Sequence, residues 1–475
     1  MKEGVVSLIG GVSELKNVKI LLIVLVCGCL GLACFLQSPL VAFGAGIVII
    51  FTLAVLISPL FGVVCLLFLE YVRIIHMVPA LAPLRPNLIV ATMVLLSWML
   101  HVVIFKKTKI FLPRQVYVLG AFICLMGFSI FGAYLQVRAV NLLKGFLEYA
   151  VFCFLIIQVI NTPRRLKIFL IAFLFCNMIV AFLALPKLLF QYYAVVNKGL
   201  GLGTFLGDGN DLALAMNVVV PIAFLLLLRE KSVRIRTLLL GVVAILMTIV
   251  VLSGSRGGTV TLAVTGVLLL IMGPRRKVSF ALVAIVLVGV LFLAPERYFD
   301  RIVTIRNYEE DPSAQGRIDA WNAGFRMALD HPLTGVGLAN FSVNYAWFYT
   351  PRGVRVGHGL AAHSVYFEIL GELGFSGLLC LLILVFFNFS DNRRVRRLLR
   401  HGNSSFSTMT YSLPLGLDLG LTAFLVGGAF LSATYYPHLF VFTGVIVALR
   451  NVVQKQITMD ENRRKMHDEA HILHR

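Results

Sequence analysis

TLLLGVVAILMTIVVLSGS, residues 237–255, runs between Arg236 and Arg256 without a single charged side chain. A helix rises 1.5 Å per residue, so about 20 apolar residues cross the roughly 30 Å hydrocarbon core of a bilayer. The stretch therefore reads as a membrane span with an arginine at each mouth. Runs of the same kind recur over 18–36, 40–57, 59–78, 88–105, 115–133, 142–160, 166–186, 211–228, 236–252, 258–272, 278–294, 363–387, 412–432 and 435–450. The run at 59–78 contains Glu70 and Arg73 and is a candidate for a re-entrant or tilted segment. The run at 258–272 is short. The pattern predicts an all-α, polytopic integral membrane protein with 12–14 transmembrane helices and one long, partly helical loop, 295–362.

Composition agrees. Of 475 residues, 59% are hydrophobic and 13% charged, about half the share in soluble domains. Too few charges are present to coat a soluble globule, and too many apolar residues for a disordered chain. All eight cysteines lie in apolar runs without a CxxC, so neither a disulfide framework nor a thiolate metal site is indicated. Lys16 and Lys19 before Ile20–Leu36 imitate a signal peptide. That run is too long for one and more spans follow at once, so it reads as the first transmembrane helix.

The net charge of +20 does not point to nucleic acid, because its distribution follows the positive-inside rule. With the N-terminus in the cytoplasm, inner segments hold 28 of the 42 Lys and Arg, among them Lys106, Arg114, Arg229, Arg275, Arg393 and Arg396. Short outer loops hold seven: Arg73, Arg85, Arg138, Lys144, Lys187, Lys198 and Arg256. The last seven fall in the loop 295–362, which faces the periplasm on this topology. Both termini are cytoplasmic, and the tail 451–475, with His467, His471 and His474, reads as a solvated helix or a disordered end. The chain divides into an N-terminal bundle (1–186), a central membrane part (187–294), the periplasmic loop (295–362), C-terminal spans (363–450) and the tail.

The polar exceptions gather on the outer face. Ser253-Gly-Ser-Arg256-Gly-Gly258 puts an arginine at the membrane boundary between small residues. Such an arginine either snorkels to headgroups or binds an anion. The small neighbours leave room for a ligand, and the guanidinium fork suits a bidentate phosphate. In the loop, Ser313–Asp330 reads as an amphipathic helix with Ile318, Trp321, Phe325 and Leu329 on its apolar stripe and Ser313 as N-cap. Arg317 lies one turn before Trp321, either a surface charge or a second anion ligand. His331–Pro332 stops the helix, and 333–337 is a turn. His363 opens the next span, with Glu368 and Glu372 on one face of an apolar helix. Intramembrane carboxylates are functional candidates and histidine is the usual general base near neutral pH. His358 is a weaker candidate on a loop. Gly201–Asp211 is Gly-rich but lacks the GK[ST] ending of a P-loop, and its Asn210 or Asp211 would cap the following span.

In order, Asn210-Asp211, Ser253–Gly258, Gly316-Arg317 with Trp321, Pro332–Gly337 and His363-Ser-x-x-x-Glu368-x-x-Gly-Glu372-x-Gly374 resemble the O-antigen ligase / O-antigen polymerase superfamily. The resemblance covers about 200–374. Within it, the extended N-terminal membrane region and the Asn-Asp loop look like the O-glycosylation ligases associated with exosortase systems. It implies a GT-C-like architecture in the bacterial inner membrane and a metal-independent, inverting glycosyltransferase without cofactor. Such an enzyme takes a glycan from undecaprenyl diphosphate at the periplasmic face. It passes the glycan to lipid A–core, as in lipopolysaccharide biosynthesis, to another lipid-linked glycan, or to a protein hydroxyl. By that resemblance His363 is the catalytic base and Arg256 and Arg317 bind diphosphate. Lys198 is the basic residue nearest the Gly-rich loop, and Asn210, Asp211, Ser255, Trp321, Glu368 and Glu372 support them. The competing class is a lipid-linked glycan transporter or flippase, which would carry paired interrupted helices and charges near mid-membrane. No such pair is visible, and the polar residues crowd one face. A structural membrane subunit of a secretion system is a third class.

Overall fold

The computed structural model describes residues 39–104, 110–194, 206–277, 312–350, 359–401 and 406–473, with positions 28, 280 and 284 singly. Its long helices are α1 (Pro39–Ile57), α2 (Pro59–Val72), α3 (Pro86–Val103), α4 (Arg114–Ser129), α5 (Gln136–Val159), α6 (Pro163–Ala194) and α7 (Gly209–Arg229). They continue as α8 (Val233–Leu252), α9 (Arg256–Met272), α10 (Pro312–Asp330), α11 (Val365–His401), α12 (Thr408–Gly428) and α13 (Pro437–Leu473). Among the described residues no strand occurs, as a bilayer requires of any spanning structure that is not a closed barrel.

Among the described residues nine helices are long and apolar enough to cross a membrane, and a bent pair makes up to ten. The chain is a multi-pass, all-α membrane protein. The fourteen expected runs divide clearly. Two, 18–36 and 278–294, lie largely or wholly outside the described residues. The runs at 40–57 and 59–78 form the bent pair, folded on each other by 118°. The second of them is not one helix: it stops at Val72, where Arg73 turns left-handed at φ 55°. The run at 258–272 starts earlier, at Arg256, and at 17 residues is shorter than a full span. The tail resolves in favour of a helix, since α13 continues to Leu473.

Helix α7 is the hub. Its spanning window is 94% buried, against 33% for α8, so α7 has no lipid-facing side while α8 keeps one. It packs on α6, α8, α9 and α12. The α7–α9 approach depends on Gly258, where a Cβ would lie 2.6 Å from the Ala213 Cβ. Small residues at such crossings let membrane helices close up, because packing rather than water drives their association.

The two ends of the bundle differ in chemistry. At one end Asp391 of α11 accepts from Arg114, Arg450 and Gln115, each at 2.7 Å, and Arg396 pairs with Asp418. Helix α4 carries the chain from Arg114 to Ser129, about 22 Å away at 1.5 Å per residue. There Ser129 Oγ accepts from the Leu338 N–H at 3.3 Å. This second end holds the polar segments singled out above, and is called the site end.

Candidate functional site

The site starts at the α7–α9 corner. Asp208, not Asn210 or Asp211, is the N-cap of α7: its Oδ1 accepts from the N–H groups of Asn210 (2.7 Å) and Asp211 (2.9 Å). Both expected caps are thereby released for other work. Ser255 Oγ donates to Asn210 Oδ1 at 2.7 Å and accepts from the Gly258 N–H at 3.0 Å, capping α9. Asn217, deep in α7, donates to the Gly258 carbonyl at 3.0 Å. Arg256 is thus the first residue of a helix held against α7 by two side-chain bonds. A helix start with a guanidinium on its first residue favours anions through both the positive end of the helix dipole and the side-chain charge.

His363 lies just ahead of α11 in a left-handed conformation, φ 47°. A non-glycine residue held there costs about 1–3 kcal/mol and persists only when its surroundings enforce it. The enforcement is visible on both sides. The His363 N–H donates to Ser432 Oγ at 2.9 Å, and the carbonyl of the preceding Ala362 accepts from Trp321 Nε1 at 3.0 Å. Trp321 in turn stacks on Phe367, centroids 5.3 Å apart and planes 11° from parallel. This docks α10 on α11. The face of α10 turned to the protein carries small residues. Ala320, Ala323 and Met327 point inward, while Phe325 and Leu329 are exposed. Small residues serve better because Gly324 comes within contact of the Phe367 carbonyl.

The connection between α12 and α13, 429–436, was not among the segments singled out from sequence, and it ties the site together. Ser432 holds His363. Thr434 Oγ1 donates to the Val365 carbonyl at 3.3 Å. Tyr435 donates to Glu372 Oε2 at 2.7 Å, and the Phe341 N–H to Glu372 Oε1 at 3.3 Å. Tyr436 donates to Asp211 Oδ1 at 2.8 Å. Phe430 rests on Gly257, next to Arg256. The signal available in sequence was the polar run Ser432-Ala-Thr-Tyr-Tyr436 between two apolar spans, on the same face as the other motifs. Glu368 faces the hydroxyls of Ser432 and Thr434, and its buried Oε2 has no hydrogen-bond partner among the described residues, nor has the Ser364 Oγ one turn before it.

Electrostatics link the parts further. Burial, and then the Arg317 guanidinium, hold the His363 imidazole below its ordinary pKa, while Asp208 pulls it the other way. A lowered pKa keeps the ring neutral near pH 7 and able to accept a proton. Burial together with the neighbouring carboxylates Glu372 and Glu368 pushes the Tyr435 phenol up, so it remains a donor. Of the expected residues, the structure brings His363, Arg317, Trp321, Asn210, Asp211, Ser255, Arg256, Glu368 and Glu372 to the site end. Lys198 and His358 lie outside the described residues. Among the described residues no three His, Cys, Asp or Glu side chains form a metal-ligating group.

The assembly offers two guanidiniums, a helix N-terminus and a neutral imidazole at one end of an apolar bundle. Residues 240–382 match the family described as O-antigen ligase (Wzy_C). No curated protein matches the chain. The matched segment runs from within α8 to within α11 and carries Ser255, Arg256, Arg317, Trp321, His363, Glu368 and Glu372. Asn210, Asp211 and the 429–436 connection lie outside it. Over these residues, less than a third of the chain, the sequence is similar to that family, and the match supports the resemblance to the O-antigen ligase/polymerase superfamily.

Proposed function

We propose that the protein is a ligase-type glycosyltransferase of the bacterial inner membrane that takes a glycan from undecaprenyl diphosphate at the periplasmic face. The acceptor is a hydroxyl on lipid A–core, another lipid or a protein. The observation that supports this best is the convergence on one connection, 429–436, of His363 through Ser432 and of Arg256–Gly257 through Phe430, with Arg317 close enough to His363 to hold its pKa down. The charge distribution along the chain supports placing this end outside the cytoplasm.

In this reading the polyprenyl tail stays among lipid-facing helices and the diphosphate rests against Arg256, the start of α9 and Arg317. The acceptor oxygen attacks the anomeric carbon from the face opposite the diphosphate. The new C–O bond forms, the bond to the diphosphate breaks, and the electron pair leaves with the diphosphate, inverting the centre. The hydroxyl proton passes to the His363 imidazole. Arginines poised where the leaving charge develops need no reorganisation in the transition state. A positioned general base adds about 10²–10⁴-fold. Glu368 and Ser364, with unsatisfied oxygens beside His363, orient the acceptor.

The test is incubation of the purified protein in detergent with a lipid-diphosphate-linked glycan and a candidate acceptor, followed by mass analysis. A single glycan added to the acceptor, with release of undecaprenyl diphosphate, is expected. Lengthening of the lipid-linked chain would instead mean a polymerase. No new glycosidic bond in detergent, together with donor translocation when the protein is placed in sealed proteoliposomes, would mean a transporter and end this reading.

A further inference from the structure

Away from the site, between α3 and α5, lies a crevice of about 270 Å³. Arg85, Lys144 and Glu148 line its upper part, and Leu88, Leu95 and Val151 its lower part. Arg85 caps the start of α3 in a left-handed conformation, φ 45°. Among the described residues Leu88 and Leu147 are exposed, so the crevice opens outward from the bundle. From Arg85 to Leu95 is ten residues, about 15 Å of helix, half the roughly 30 Å hydrocarbon thickness. The crevice is therefore one leaflet deep, polar at the headgroup level and apolar below.

The charges at the rim are two cations and one carboxylate. Glu148 is within electrostatic reach of Arg85 and Arg73. With Arg73 also near, the cations at this level outnumber the carboxylate, an excess of positive charge that suits a phosphodiester. Helix α3 packs on α1, α2 and α5, not on α9, α10 or α11, which carry Arg256, Arg317 and the His363 turn. Its occupant is thus a component of the surrounding leaflet rather than the glycan donor. We infer that the α3–α5 crevice binds an anionic glycerophospholipid, with its phosphodiester between Arg85 and Lys144 and an acyl chain along Leu88, Leu95 and Val151. A phospholipid in this place would brace the seam where α5 meets α13. On the same helix α13, His438 shares a hydrogen bond of 3.1 Å with Tyr71 of α2, one residue after Pro437 closes the connection that holds His363.

The test uses the full chain in nanodiscs with phosphatidylglycerol or phosphatidylcholine carrying a photoreactive acyl chain. Adducts are mapped to peptides of α3 and α5. A basic residue at an anionic surface contributes about fivefold, so phosphatidylglycerol should label these helices at least severalfold more than phosphatidylcholine. Arg85→Gln with Lys144→Gln should bring the two lipids to parity. Thr92 lines the crevice between Leu88 and Leu95, and Thr92→Phe, which blocks the acyl path and keeps both cations, should reduce labelling by either lipid; it decides the question if the double variant does not fold. Equal labelling by the two lipids in the wild type would overturn the assignment. Undiminished labelling in folded Arg85→Gln/Lys144→Gln or in Thr92→Phe would do the same. Glycan transfer need not be measured, so failure here leaves the proposed chemistry untouched, and the reverse holds as well.

Discussion

The backbone N–H of His363 donates to the Oγ of Ser432 at 2.9 Å, across 69 residues of chain. This bond holds a left-handed histidine that its own local sequence would not choose. Removing it with Ser432→Ala should release about 1 kcal/mol of positioning. We expect kcat to fall roughly 5- to 10-fold, with KM for the donor little changed and the pH midpoint unmoved. Ser432→Thr, which keeps the hydroxyl, should recover most of the rate. A purely structural role would instead lower folded yield and leave the kcat of the folded fraction intact.

The pH dependence of transfer follows from the groups around His363. The ring works as a base only when neutral, so activity climbs as pH rises through its pKa. Burial and Arg317 depress that pKa, so the acid limb should lie below the ordinary imidazole value of about 6.5. Arg317→Gln removes a positive neighbour and should shift the limb upward, on top of a lower absolute rate. Asp208→Asn keeps the cap of α7 but removes the charge that favours imidazolium, and should shift it downward. His363→Ala should abolish transfer in a protein that still inserts and folds. A limb that stays put in both charge variants would remove His363 as the titrating base.

Arg256 should not tolerate a point charge in place of its fork. Lysine supplies the charge but not two parallel donors. Arg256→Lys is expected to lose at least tenfold in kcat/KM, close to Arg256→Ala. Full activity in Arg256→Lys would show that charge alone suffices there.

Gly374 tests the packing behind the site. It sits at φ 65° and ψ −165° inside α11, a region almost confined to glycine, and a Cβ would lie 2.4 Å from the Pro332 carbonyl oxygen. That kink lets the Phe375 N–H donate to the Pro332 carbonyl at 2.9 Å, seating the turn after α10 on α11. Gly374→Ala should lower thermal stability in detergent by several degrees, read from an unfolding scan of the purified protein.

Most of the architecture was readable because lipid imposes a simple code: long apolar runs become helices, and charge sorts their ends. The code weakens where a run is broken from within. Arg73 divides 59–78 by adopting a conformation that hydropathy does not register. The motif residues were legible for a similar reason, since a charged or imidazole side chain among Leu and Val stands out. What escaped was the partner of each. Asp208 caps α7 in place of its two neighbours, because the geometry of a helix start depends on one residue's backbone and not on composition. Ser432 escaped because serine at the end of a span is unremarkable until His363 is found beside it.

Ser432, one of the two side chains that fix the histidine's posture, comes after the recognisable homology segment ends at 382. A chimaera that exchanged only 240–382 with a relative would transplant the imidazole and the arginines but leave their clamp behind, mismatched to its new tenant. Swaps aimed at changing acceptor preference should therefore carry Ala429–Tyr436 and the Asp208–Asp211 corner along with the segment, as one exchangeable cassette.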